Sequence, residues 1–162
     1  MNPRILVLGW GNPGRLDDGL GPALVRELTG LTPADQVTLE AGYQLQIEDA
    51  ALVAAHDIVI FVDAHRDGAE PFEFARVEPR WEASFTTHAV APGAVLALAR
   101  EHFGARTEAF VLGIRGVEFD GFGETLSPRA ERNLGAAVDF LHHVLSDARR
   151  VREIAAGADE ER

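Results

Sequence analysis

The 162-residue chain contains no cysteine. That excludes a thiol nucleophile, disulfides and thiolate metal sites, and it leaves the redox compartment undetermined. No apolar run approaches the roughly 18 residues that a membrane-spanning helix requires. No serine lies in a G-x-S-x-G elbow, so nothing supports a serine hydrolase. Met1-Asn2-Pro3-Arg4 leads straight into an apolar run, which leaves no room for a signal peptide. Positive charge is scarce as well. The formal net charge is -11, which disfavours nucleic acid and anionic membranes by simple repulsion. The expectation is a soluble cytoplasmic protein whose partners are neither nucleic acid nor membrane.

What is present is a single α/β domain. Hydrophobic residues make up 46% of the chain, enough for one substantial core. Ile5-Leu6-Val7-Leu8 and Ile58-Val59-Ile60-Phe61-Val62 are continuous apolar runs suited to strands buried on both faces of a parallel sheet. Val37 to Ala41 and Ala109 to Ile114 are further strands, and Phe72 to Val77 alternates as an edge strand does. Helical spacing runs from Leu20 to Leu28, from about Leu45 to Ala55, and from Pro92 to Phe103 with Gly104 as the stop. Ser127-Pro128 supplies an N-cap and a proline at the first helical position, and Leu134 to Leu145 continue that helix. The domain is expected to occupy residues 1–146, with residues 147–162 as a charged helical extension or tail. Strands alternating with helices predict a parallel-rich sheet covered on both faces. Ligands bind at the carboxyl ends of such strands.

The first strand-to-helix loop carries the densest signal. Gly9-Trp10-Gly11-Asn12-Pro13-Gly14 matches the G-x-G-x-x-G pattern of dinucleotide-binding proteins, a weak match on its own. Asp17 and Asp18 then stand between the glycines and the apolar helical pattern, where they would repel a pyrophosphate. Acids on a strand-end loop suit a cation better. Asp63 closes the third strand, and no helical pattern follows it that it would cap. Among six histidines, His88 sits in an irregular segment just before a helix, and His65, two residues after Asp63, is its competitor. Two carboxylates and an imidazole on separate loops would supply three protein ligands and leave open coordination positions. Zinc, nickel, iron and manganese all fit such donors. Asp17 and Asp18 can also be read as helix caps, though only one residue can be the N-cap.

The block Gly9-x-Gly11-Asn12 followed by Asp17-Asp18-Gly19-Leu20-Gly21 resembles the opening of the nickel–iron hydrogenase maturation proteases. These endopeptidases remove a C-terminal extension from the hydrogenase large subunit. The resemblance continues at Val62-Asp63-Ala64, at Thr87-His88 before a helix, and from Leu112-Gly113-Ile114 to Leu126-Ser127-Pro128. It implies a three-layer αβα sandwich around a mixed, mostly parallel five-stranded sheet, with Phe72–Val77 as the antiparallel edge. It implies metal contacts from Asp18, where many members have glutamate, and from Asp63 and His88. It further implies that nickel arrives on the precursor and is sensed there. After Gly42 this chain has Tyr43-Gln44 where the family has a glycine and a threonine. Asp17 is left as either a general base or a structural residue. Two other readings stand beside this one: a non-catalytic nickel-binding assembly factor and a dinucleotide-binding module.

Overall fold

The computed structural model describes residues 2–32, 35–81 and 90–160. Five strands form one sheet: β1 (Ile5–Trp10), β2 (Val37–Gly42), β3 (Ile58–His65), β4 (Phe72–Val77) and β5 (Glu108–Arg115). Five α-helices accompany them: α1 (Leu20–Leu28), α2 (Asp49–Ala54), α3 (Pro92–Phe103), α4 (Pro128–Leu145) and α5 (Ala148–Glu160). The strand order is β2-β1-β3-β5-β4. β1, β2, β3 and β5 run parallel, while β4 pairs antiparallel with β5 at the edge. This is the mixed, mostly parallel sheet expected from the sequence, with the alternating strand at its predicted place.

Alternate side chains of each central strand enter opposite cores, the consequence of a two-residue period. Ile5, Val7, Ile58, Ile60, Val62, Phe110, Leu112 and Ile114 pack with α1 and α4 on one face. Leu6, Leu8, Val59, Phe61 and Ala109 pack with α2 and α3 on the other. Apolar residues at every position of Ile5–Leu8 and Ile58–Val62 are therefore required, since neither face of these segments meets water. The first core reaches α5 as well: Val151 is fully buried in it, and Ile154 packs against it. The stretch beginning at residue 147 thus carries a second amphipathic helix joined to the domain core.

Local signals set the element ends. Gly104 takes the left-handed conformation that closes α3, with φ 61°. The Ser127 side chain accepts the Ala130 N–H at the start of α4. α2 is shorter than the apolar spacing from Leu45 suggests, because Leu45 is a buried loop residue preceding the helix. Because β1, β3 and β5 are parallel, the loops leaving Trp10, His65 and Arg115 all emerge at one edge of the sheet.

Candidate active site

The loop after β1 is built on backbone contact. A Cβ at Gly9 would lie 2.6 Å from the Gly21 carbonyl oxygen, and one at Gly21 would strike the Trp10 carbonyl. The two glycines thus let the start of α1 rest directly on the β1 backbone. Gly11, at φ +144°, passes so close to the Asp18 carbonyl that a side chain has no room. Between these contacts Leu16–Gly19 forms a single 3-10 turn.

The loop's N–H groups are used internally. Gly11 donates to the Gly42 carbonyl, Asn12 to Asp18 Oδ2 at 2.8 Å, Gly14 to Asn12 Oδ1 at 2.8 Å, Arg15 to the Asn12 carbonyl and Leu16 to the Gly123 carbonyl. A dinucleotide loop instead needs these donors, and a helix N-terminus, turned toward a pyrophosphate. The glycine pattern here serves chain packing, and the donor opposite the acids is taken by Asp18 itself.

The two adjacent aspartates face different ways. Asp17 is 0% exposed. Its Oδ2 accepts the N–H groups of Val117 and Glu118, each at 2.9 Å, and the Ser127 hydroxyl at 2.8 Å; its Oδ1 accepts the Ser127 N–H at 2.8 Å. Burial alone raises its pKa, but the hydrogen bonds from Glu118, Ser127 and Val117 outweigh that and hold it below the ordinary carboxylate value. Neither aspartate caps α1: the N-cap is Gly19, without a side-chain bond.

Asp18 is half-buried, held by the Asn12 N–H. Asp63, also half-buried, sits in β3 two residues before its end and accepts the Ala64 N–H on Oδ1 at 2.8 Å. Its carboxyl is pushed up to about 7, first by burial, which the Ala64 bond only partly offsets, and further by the negative charge of Asp18. The structure thus brings Asp18 and Asp63 within electrostatic reach of each other at the sheet's carboxyl edge. Two acids that repel across a desolvated site are a donor set that a cation relieves.

A cleft of about 570 Å³ opens beside Asp63, lined also by Trp10, His65, Arg76, Arg80 and Gly93. His65 lies over Gly113 of β5, where any side chain would collide with the ring. It shares its strand face with Asp63, a relation already contained in the two-residue spacing. His88 lies outside the described residues, and among those described no three histidines or acids gather at metal-binding distance. The pairing of Asp17 with Ser127, and the presence of Arg76 and Arg80 on the cleft wall, were not anticipated from sequence; no local pattern carries them.

No family model matches the chain. Over 154 residues it is 29% identical to the hydrogenase expression/formation protein HupD of Thiocapsa roseopersicina, covering 90% of this chain and 69% of that protein. The fold matches the crystal structure of the NiFe hydrogenase maturation protease HycI from Thermococcus kodakarensis KOD1 with a TM-score of 0.71, at 24% identity over 89% of this chain and 93% of that one. The hydrogenase maturating endopeptidase HybD from E. coli has a TM-score of 0.67 at 26% identity, covering 85% of this chain and 89% of that chain. The hydrogenase 2 maturation peptidase from Thaumarchaeota archaeon SCGC_AB-539-E09 has a TM-score of 0.66, also at 26% identity, covering 88% of this chain and 98% of that chain. The glycine–aspartate loop, Asp63 near the end of β3, the sheet topology and these sequence likenesses together liken the chain to the hydrogenase maturation proteases.

Proposed function

We propose that the chain is an endopeptidase that removes the C-terminal extension from the large-subunit precursor of a nickel–iron hydrogenase, with nickel already carried by that precursor. The observation that carries this reading is the Asp18–Asp63 pair. It is an acid pair at the carboxyl edge of the sheet, where burial first and the negative charge of Asp18 after it raise the Asp63 pKa to about 7. Asp18, Asp63 and His88 are the residues proposed to meet the nickel. Three nitrogen and oxygen donors leave coordination positions open, so the ion remains shared with ligands of the precursor. Bound there, the metal supplies Lewis-acid polarisation of a carbonyl or activation of a water. The cleft lined by Trp10, Asp63, His65 and Arg76 gives the peptide a place to lie against the same acid.

Asp17 belongs elsewhere in this scheme. A general base must reach the proton it removes. Asp17 is buried and already accepts four hydrogen bonds, so we assign it to holding the loops rather than to proton transfer. Among the described residues no helix is long and apolar enough to cross a membrane.

The test is turnover. Substoichiometric protein incubated with nickel-loaded precursor should release one C-terminal peptide per precursor, read by mass. Nickel transfer without peptide release would assign the same residues to an assembly factor instead.

A further inference from the structure

The loop from Gly116 to Leu126 is pinned along its length. Asp17 holds it through Val117, Glu118 and Ser127. The Asp17 N–H donates to the Glu118 carbonyl at 2.9 Å, the Gly123 N–H donates to the Gly14 carbonyl at 2.8 Å, and the Gly123 carbonyl accepts from Leu16 at 2.9 Å. Two phenylalanines on this loop have opposite fates. Phe119 is buried, 8% exposed, with the Arg66 guanidinium 4.4 Å from its ring centre. Phe122 is 93% exposed, the highest value for a large apolar side chain among the described residues.

Nothing about this exposure comes from slack in the chain. Gly121 and Gly123 flank Phe122 at φ +137° and +158°, conformations that L side chains rarely adopt. The Leu16 side chain fills the space their missing Cβ atoms leave, with contacts of 3.4 Å and 3.1 Å to the ideal positions. Leu16 itself is held at φ 53°. The tip is thus a built turn that presents one aromatic ring to solvent, and it is tied to Gly14 and Leu16, just before Asp17–Asp18.

We infer that Phe122 is a docking residue that inserts into an apolar socket on the folded body of the hydrogenase large-subunit precursor, a role that rests on the proposed endopeptidase reading. Two features of the loop select this occupant over a second copy of the chain. First, whatever brings a metal to Asp18 and Asp63 arrives at the carboxyl edge of the sheet, from which this loop also emerges. Second, the loop that carries the ring also carries three exposed carboxylates, Glu118, Asp120 and Glu124, which outnumber the two arginines set against it, Arg15 beside Gly123 and Arg66 over Phe119. Two copies meeting through Phe122 would press these acids together in a protein of net charge -11. A socket rimmed by lysine or arginine matches both the ring and its surroundings.

The experiment compares wild type, Phe122→Ser and Phe122→Leu for affinity to immobilised nickel-loaded precursor, and for kcat and KM of processing. Loss of a central aromatic anchor is expected to weaken binding about ten- to hundredfold and to raise KM in step. kcat and thermal stability stay near wild type, and leucine retains most of the affinity. Binding should also weaken with added salt, as an acidic rim facing basic residues requires. Equal affinity of wild type and Phe122→Ser overturns the inference, as does a wild type that binds no precursor. A dimer that Phe122→Ser converts to monomer overturns it too, since the ring is then covered by a second copy. If wild type binds precursor but releases no fragment, the endopeptidase reading fails alone, and the affinity difference still decides the role of Phe122.

Discussion

Asp17 and Ser127, 110 residues apart in the chain, are joined by two hydrogen bonds of 2.8 Å, one from the Ser127 N–H and one from its hydroxyl. The same hydroxyl oxygen accepts the Ala130 N–H at 3.1 Å. One carboxylate therefore ties the loop after β1 to the loop after β5 and to the first turn of α4.

Asp17→Asn should therefore act on stability first. Its amide nitrogen would face donors, leaving buried N–H groups unpaired, at a cost of about 2–4 kcal/mol. Urea unfolding at neutral pH measures this. Because hydrogen bonding lowers the folded-state pKa of Asp17, its contribution is complete above the ordinary value of 3.8 and is lost as pH falls through the lower folded value. The gap between variant and wild type should narrow in that acid range. A variant of unchanged stability that no longer processes precursor would return Asp17 to the chemistry.

Asp63→Asn should behave oppositely in metal-free protein. The folded pKa of Asp63 is raised from 3.8 to about 7, so its charge burdens the fold increasingly as pH rises across that interval and fully above it. The variant should be more stable than wild type at pH 8 by about 1–2 kcal/mol, a value reduced for the residue's partial exposure, and nearly equal to it below about pH 4. Thermal melts across this range read the difference. Processing should nonetheless fail, because the amide lacks the charge that attracts the ion. A stability difference independent of pH would show that the Asp63 carboxyl is under no such strain.

The same contrast shows what the sequence can and cannot carry. Ile58 to Val62 is legible because a strand buried on both faces leaves no polar position, and Phe72 to Val77 is legible because an edge strand does. Ser127-Pro128 announces its helix through chemistry within four residues. The glycine–aspartate block was legible as a loop carrying acids: Asp18 lies in the turn it forms, and Asp63 lies in β3 two residues before its end, at the same edge of the sheet. The job of Asp17 was not legible, because its partners are 100 to 110 residues away. Nor was the role of Gly9 and Gly21, which appears only when the start of α1 is laid on β1. The residues from 147 onward read as a charged extension because, among the described side chains, Val151 and Ile154 alone mark the face that α5 turns to the core.

His88→Ala should weaken nickel binding by more than the roughly 10–100-fold that losing an outer-shell partner costs. Binding by wild type should also decline in acid, because imidazolium has no lone pair to donate. Calorimetric titration of both proteins with nickel checks each point. Equal affinities would remove His88 from the site and turn attention to His65, which lines the cleft with Asp63.

The central claim is that Asp18 and Asp63 read a nickel ion which the precursor brings. An acid pair that repels at an empty site gains from the peptide only when the ion comes with it, so recognition of substrate and of metal becomes one event. The direct measurement incubates the protein with nickel-loaded and nickel-free precursor side by side and weighs the products. The account predicts a single C-terminal fragment from the loaded precursor and none from the empty one at any protein concentration; equal processing of both would contradict it.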